Sequence, residues 1–474
     1  MKEQQFAELL IEEFPYTPTV DQIELLKSLS EFIYRQEDNS LFIIKGYAGT
    51  GKTTVVSNLV KVLPKIKAKT ILLAPTGRAA KVMASYSREK AYTIHKKIYR
   101  INAGKDGLPG LKMIENKHKN TFFLVDEASM ISAISQDGGE LFSGRNLLDD
   151  LIQYVYSGDN CRLILIGDTA QLPPVKAVES PALSPEFMKA SFHLTVWVSE
   201  LREVVRQAQD SGILYNATLI RKMLLLNSKG FPRLDLQGFD DIKRLEGQDV
   251  GDEITSAFSN RQCEESVIVC RSNKRANLFN KNIRNRILLR EEEISAGDLM
   301  MVVKNNYFWL PQTSQIGFIA NGDIIELTRI RKIEELYGFR FADVSARMLD
   351  YPDEPEIDVM IMLDAIYADA PSLTFQQTGQ LFEQVSLDYA EYASKRTRLL
   401  KVKSNPYFNA LQVKFAYSLT CHKAQGGQWK NVFVEMGYIH DNNPDIEYLR
   451  WLYTAFTRAT DNLYLIGFND EFFV

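Results

Sequence analysis

Residues 46–54, Gly-Tyr-Ala-Gly-Thr-Gly-Lys-Thr-Thr, follow the apolar run LFIIK and open a stretch with helical periodicity. Glycines at that spacing, ending in Gly51-Lys52-Thr53, form a loop whose backbone N–H groups can wrap a polyphosphate. Ala48, Gly49, Thr50, Gly51, Lys52, Thr53 and Thr54 are therefore the expected cradle. Lys52 is expected to reach the β and γ oxygens, and the Thr53 hydroxyl to ligate Mg²⁺. Such a loop works only between a strand and a helix, so it commits this part of the chain to an α/β sheet.

The surrounding pattern agrees. LFIIKG (41–46), TILLAPT (70–76), TFFLVDE (121–127) and RLILIGD (162–168) are short apolar runs separated by helical patterns. Continuous apolar strands of this kind predict a parallel sheet covered on both faces. A second series starts at SVIVCRS (266–272) and resumes at KFAYSLT (414–420), NVFVEMG (431–437) and NLYLIG (462–467). Between 298 and about 405 the pattern changes to antiparallel-like strands, DLMMVVKN, FIANGDIIELTRI and GFRFADV, with the turn pair Asn321-Gly322, and then to a polar, helix-prone stretch. Gly104, Gly107, Pro109 and Gly110 mark a small interruption at 100–119. With 474 residues, several packed units are expected.

Two carboxylates end the strand TFFLV: Asp126, expected to hold Mg²⁺, and Glu127, expected to orient and deprotonate water. They lie at the carboxyl edge of the sheet, where the phosphate loop also sits. The combination points to nucleoside triphosphate hydrolysis rather than binding alone. Gln171, in LILIGDTAQLPPV, is a candidate sensor of the γ-phosphate. Positive charge against the transition state would come from Arg206, in LREVVRQAQDSG, and Arg458, in YTAFTRATDN. Both belong to the second half, so a nucleotide bound between the halves would draw them together.

Lys plus Arg is 56 and Asp plus Glu is 60, so no global basic field advertises nucleic acid, and a strand would need a local groove. Phosphate and stacking candidates cluster at Arg78, Lys81, Lys96, Lys97 and Tyr99, and again at Arg271, Asn273, Lys274 and Arg275. Cys161, Cys263, Cys270 and Cys421 have no metal-ligand spacing, the N-terminus lacks a secretion signal, and no apolar run spans a bilayer. A reduced cytoplasm with no membrane contact is the expected setting.

The motifs occur in a recognisable order: TVDQ (19–22), GYAGTGKTT (46–54), APTGRAA (74–80), TIH (93–95), VDEAS (125–129), GDTAQLPP (167–174), VVRQ (204–207), TCHKAQGGQW (420–429) and YTAFTRA (453–459). Over nearly its whole length the chain resembles the superfamily 1B helicases, in the RecD-like and Dda-like group; GDTAQLPPV is also close to the Pif-type pattern, and the subfamily stays open. The resemblance implies two RecA-like parallel-sheet domains with a small pin insertion and a β-rich, SH3-like insertion. The domains would be 1–195 (1A, with the 1B pin at about 100–119), 196–297 plus 406–474 (2A), and 298–405 (2B). It implies an ATP- and Mg²⁺-dependent, 5′-to-3′ DNA translocase and helicase acting on single strands and single–double-strand junctions, working as a monomer, in DNA repair or recombination. Gln22 would read the adenine edge and Tyr16 stack on the base. Thr76, His95, Thr420 and His422 would face the strand, Gly426 would lie near the γ-phosphate, and Gln428 stands where related chains place a ribose-binding glutamate. A nucleotide-gated clamp that does not step is the rival reading, and the choice of DNA over RNA rests on the resemblance.

Overall fold

The computed structural model describes residues 2–35, 37–103, 109–133, 146–205, 210–259, 263–311, 314 and 317–474, with the backbone alone at 101–103, 109–111 and 442. In chain order the strands are Ser40–Gly46 (β1), Lys69–Ala74 (β2), Ala91–Thr93 (β3), Tyr99–Ala103 (β4), Pro109–Met113 (β5), Lys119–Val125 (β6), Asp159–Gly167 (β7) and Thr195–Leu201 (β8). Then follow Ile242–Leu245 (β9), Ser266–Cys270 (β10), Leu299–Val302 (β11), Ile324–Leu336 (β12), Phe339–Met348 (β13), Ile357–Met362 (β14), Leu411–Phe415 (β15), Ser418–Thr420 (β16), Trp429–Glu435 (β17) and Ala459–Ile466 (β18).

The first half is a parallel sheet in the order β3-β2-β6-β7-β1-β8. Successive side chains of a strand point to opposite faces, and here both faces are buried. Phe42, Ile44, Leu124 and Ile164 meet the helices Glu3–Glu12, Val20–Tyr34 and Lys52–Val62. Leu41, Ile43, Phe123 and Leu163 meet Leu147–Tyr156 and Pro185–Phe192. The second half is also parallel, β16-β10-β17-β18-β9. Its helix Ile446–Phe456 contributes eight buried residues, from Tyr448 to Phe456.

Two strands cross the expected borders. β8 runs past residue 195 and pairs along its length with β1, so it belongs to the first sheet. KFAYSLT, read above as one strand, is two. Leu411–Phe415 pairs with β11 and β14 and closes the five-stranded barrel β11-β12-β13-β14-β15, which therefore extends beyond residue 405. The break falls where the backbone changes partner: the Ala416 N–H donates to Leu299, whereas the Tyr417 carbonyl accepts from Ile268 of the second sheet. Hydrophobic patterning cannot reveal this, because both partners bury the same apolar run. Asn321-Gly322 precedes β12, with Gly322 at φ +96°, rather than lying inside it.

The barrel is anchored to the second half by a buried ion cluster. Asp298, fully buried, accepts from Arg284 Nε (3.0 Å), Arg290 Nη1 (2.7 Å), the Tyr417 hydroxyl (3.2 Å) and the Ser295 N–H (2.7 Å). Arg284 is only 1% exposed. The core of the second sheet, including Ile268 and Phe433, runs continuously into barrel residues Met300, Ile325 and Val344. The interruption near 100–119 contains an antiparallel hairpin, β4 with β5, whose tip at 104–108 lies outside the described residues. Removing a partner from a buried ion cluster leaves an uncompensated charge. Asp298→Ala is therefore expected to cost about 3–5 kcal/mol in denaturant unfolding of the second half; a loss below about 1 kcal/mol would show that the cluster does not hold the barrel.

Candidate nucleotide site and strand groove

β1 ends at Gly46, and the helix Lys52–Val62 begins after Gly51. Gly49 and Gly51 have φ of +74° and +81°, which L side chains rarely adopt. A Cβ on Gly46 would meet Lys52 Cγ at 2.7 Å. The loop thus needs these glycines for its own geometry. Lys52 Nζ curls over it and donates to the carbonyls of Gly46 (2.6 Å) and Tyr47 (2.8 Å). Thr53 is exposed at the helix start, and Thr54 follows it half-buried.

Gln22 lies directly behind the loop. Thr19 and Gln22 form a reciprocal capping box on the helix Val20–Tyr34, and Gln22 Nε2 donates to the Thr50 carbonyl at 3.0 Å. In this arrangement its amide braces the loop, a role the adenine expectation did not include. Tyr16 is at the surface, 56% exposed.

At the end of β6, Asp126 accepts the Glu127 N–H on Oδ1 (2.8 Å) and the Tyr86 hydroxyl on Oδ2 (2.7 Å). Glu127 itself sits at φ +51°, a strained position for a non-glycine residue. Burial pushes its carboxyl above the ordinary glutamate range. Arg458 opposes that shift, Asp126 adds to it, Lys52 opposes it and Asp168 adds to it. Arg458 comes from the second half, is 3% exposed and places Nη1 3.8 Å from Glu127 Oε1. Its guanidinium is aimed by the carbonyls of Thr454 (3.1 Å) and Gly427 (3.2 Å). Arg206 falls within 206–209, outside the described residues.

Gln171 is buried, and its Oε1 has no hydrogen-bond partner among the described residues. The segment carrying it is gripped by the second half. Leu172 N–H donates to Thr454 Oγ1 (2.8 Å), and the Leu172 carbonyl accepts from Gln425 Nε2 (2.8 Å). Arg450 donates to the carbonyls of Thr169 and Gln171. The Tyr453 hydroxyl accepts the Ala48 N–H at 2.9 Å and donates to Asp168 Oδ2 at 2.6 Å. Ala48 therefore commits its N–H to Tyr453. Gln425, Arg450 and Tyr453 were not singled out from the sequence, although all three lie in or beside motifs that were.

The strand candidates gather where the first half, the second half and the barrel meet. Thr76 caps the helix Gly77–Ser87 by accepting from Ala79 N–H (3.2 Å). Gly426 is pressed against that helix start: a Cβ on it would meet Ala79 Cβ at 2.9 Å and Thr76 Oγ1 at 3.1 Å. The next residue, Gly427, offers its carbonyl to Arg458, so this loop touches both the strand candidates and the arginine that faces Glu127. Arg78 lies 3.9 Å above the Trp429 ring. Gln428 is exposed and lines a cavity of about 550 Å³ with Arg78, Lys81, Arg347 and Asp350. Lys81 donates to the Leu349 carbonyl (3.0 Å) and lies 3.6 Å from Asp350. His95 packs edge-on to the barrel's Phe318, and burial pushes its imidazole down to about 4, so it is neutral near pH 7. Lys96 and Lys97 flank the Tyr92 ring, and Lys96 also approaches that of Tyr351. Tyr99, expected to offer a stacking face, is instead 3% exposed and anchors the hairpin base through Asp150 (2.5 Å). It faces the core of the sheet, so it has no free ring face.

In the second half, Asn273 and Lys274 open the helix Asn273–Asn282, with Lys274 exposed. Arg275 pairs with Glu435 (2.8 Å), and Arg271 donates to the Tyr438 carbonyl (2.7 Å). Thr420 ends β16 at the start of the short helix Cys421–Ala424, where its side chain makes no capping bond, and His422 is exposed.

Comparison with known proteins matches residues 32–223 to an AAA domain family and residues 415–466 to the UvrD-like helicase C-terminal domain. The uncharacterized protein R530 of Acanthamoeba polyphaga mimivirus is 25% identical over 92% of this chain and 97% of its own. The ATP-dependent DNA helicase Dda of Enterobacteria phage T4 is 24% identical, covering 89% of this chain and 93% of its own. A solved Pif1 helicase from Candida albicans, 16% identical, covers 96% of this chain and 95% of its own with a TM-score of 0.46. The first model covers most of the first half and runs into the second as far as residue 223, and the second model lies within the second half. The two family models and the relative Dda are consistent with the superfamily 1B helicase resemblance carried by the motifs.

Proposed function

We propose that the protein is an ATP-driven DNA helicase that moves 5′ to 3′ along a single strand and opens duplex at the junction. The observation that carries this reading is Arg458 of the second half standing 3.8 Å from Glu127 of the first. A general base and a transition-state cation held on separate bodies make hydrolysis dependent on their approach. DNA as the substrate is supported by the 24% identical Dda, whose name describes a DNA helicase. Action as a monomer, in the cytoplasm, completes the proposal; among the described residues no helix is long and apolar enough to cross a membrane.

In this mechanism Lys52 and the loop N–H groups hold the triphosphate. Glu127 orients a water and takes its proton as the water oxygen bonds to the γ-phosphorus. The bond from that phosphorus to the β–γ bridging oxygen breaks, and its electrons leave with ADP. Arg458, with Arg206 proposed beside it, neutralises the charge that gathers on the transferred group. Gln171 reports whether the γ-phosphate is attached. The hard oxygen donors Thr53 and Asp126 suit Mg²⁺, which when bound would neutralise the phosphate oxygens. Gln22 and Tyr16 are proposed for the base. Thr76, Arg78, His95, Lys96, Asn273, Lys274, Thr420 and His422 are proposed for the strand, and the β4–β5 hairpin for the junction. Alternating grip by the two halves turns each cycle into a step.

Lys52→Ala and Glu127→Gln are each expected to lower strand-stimulated ATP turnover by at least about a hundredfold with the fold intact; undiminished turnover in either would remove the site assignment. On 5′-tailed, 3′-tailed and blunt duplexes, the 5′-tailed one is expected to be unwound, and preference for the 3′-tailed one would reverse the polarity. The Glu127 base is active when ionised, so turnover should fall as pH drops through its raised pKa. Arg458 holds that pKa down, so Arg458→Gln should move the acid limb of the kcat profile to higher pH, with kcat itself about a thousandfold lower. An unshifted limb would separate Arg458 from Glu127.

A further inference from the structure

Tyr453 is 1% exposed, and a phenylalanine would fill its place in the core of the second half equally well. The hydroxyl adds something packing does not require. A buried hydroxyl left alone is unfavourable, and this one is saturated by two partners, both from the first half. It accepts from the Ala48 N–H of the phosphate loop and donates to Asp168 Oδ2, at 2.9 and 2.6 Å. Asp168 is itself 1% exposed, and its other oxygen accepts the Ala170 N–H at 2.9 Å. Burial and the neighbouring Asp168 raise the phenol's pKa well above its ordinary value, so it keeps the proton it donates.

The junction joins three things that hydrolysis needs in register. Ala48 lies in the loop that holds the phosphates. Asp168 begins the turn that carries Gln171. Tyr453 rides on the helix Ile446–Phe456, just before Arg458. The Tyr47 ring, next to Ala48, is buried in the second half's apolar cluster and covered by Arg221 at 4.5 Å. The loop is thus held against the second half by packing and by the bond from the Ala48 N–H to the Tyr453 hydroxyl.

We propose that Tyr453 is a positioning residue for ATP hydrolysis: its hydroxyl locks the phosphate-loop backbone at Ala48 and the Gln171 turn at Asp168 into one frame, available only while the second half is in contact. This inference rests on the ATPase reading above. Tyr453 touches no reacting atom; it acts through the groups it aligns.

The test compares strand-stimulated turnover of the parent, Y453F, D168N and the double variant, with melting temperature alongside. Y453F removes both bonds and is expected to lower kcat by at least about tenfold, the scale of the hydrogen bond to the buried Asp168 alone, with the KM for ATP within about threefold of the parent. D168N should lose a similar factor, and the double variant should be no worse than the poorer single one, because both break the same junction. A kcat per folded molecule within about twofold of the parent, a change confined to KM, or losses that multiply in the double variant would each overturn the proposal. If Y453F does not fold, D168N reaches the same junction from the first half, with the same expected loss and the same contrary result. A parent chain that turns over no ATP fails the proposed function itself, which these outcomes do not resemble.

Discussion

A guanidinium from one half of the chain faces a carboxylate from the other across 3.8 Å, and neither is well solvated. Two unit charges at about that separation attract by about 4 kcal/mol at an effective dielectric near 20. Each ion also loses several kcal/mol on leaving water. The attraction and the desolvation are of the same order, so this ion pair is by itself close to balanced. A balanced contact is what a cycling motor requires. The charge arriving with a triphosphate, or leaving with its γ-phosphate, is then large enough to decide whether the halves hold together.

The rest of the architecture makes that decision mechanical. The barrel cannot move apart from the second half, because Asp298, Arg284 and Tyr417 tie their cores together. It also touches the first half beside the strand candidates, at Lys81 with Asp350 and His95 with Phe318. Motion between the halves must therefore be felt in the groove where Thr76, Arg78 and Gly426 meet. The candidate nucleotide site and the candidate strand groove are thus joined through the barrel and the second half.

Much of this was legible in the residues. The phosphate loop, the Asp126-Glu127 strand end and the parallel character of both sheets followed from short apolar runs and glycine spacing, which are local signals. The helix-prone stretch after Pro371 is helical at Phe375–Leu387 and Lys395–Lys403 for the same reason. What escaped depends on partners remote in sequence. Whether Leu411–Phe415 joins the barrel or the sheet is decided by a change of backbone partner, and both alternatives bury the same side chains. Tyr99 has the composition of a stacking residue, yet Asp150 and the sheet core claim it. Tyr453 and Tyr86 resemble ordinary core aromatics until their hydroxyls are seen to reach Asp168 and Asp126.

The proposed mechanism requires that nucleotide state move one half against the other. Energy transfer between labels at Lys189→Cys on the first half and Asp252→Cys on the second, with the half-buried Cys263 changed to serine, reports that movement directly. On strand-bound protein, a non-hydrolysable ATP analogue should change the transfer efficiency, and replacing it with ADP should reverse the change. The same efficiency with the analogue, with ADP and without nucleotide would contradict the claim.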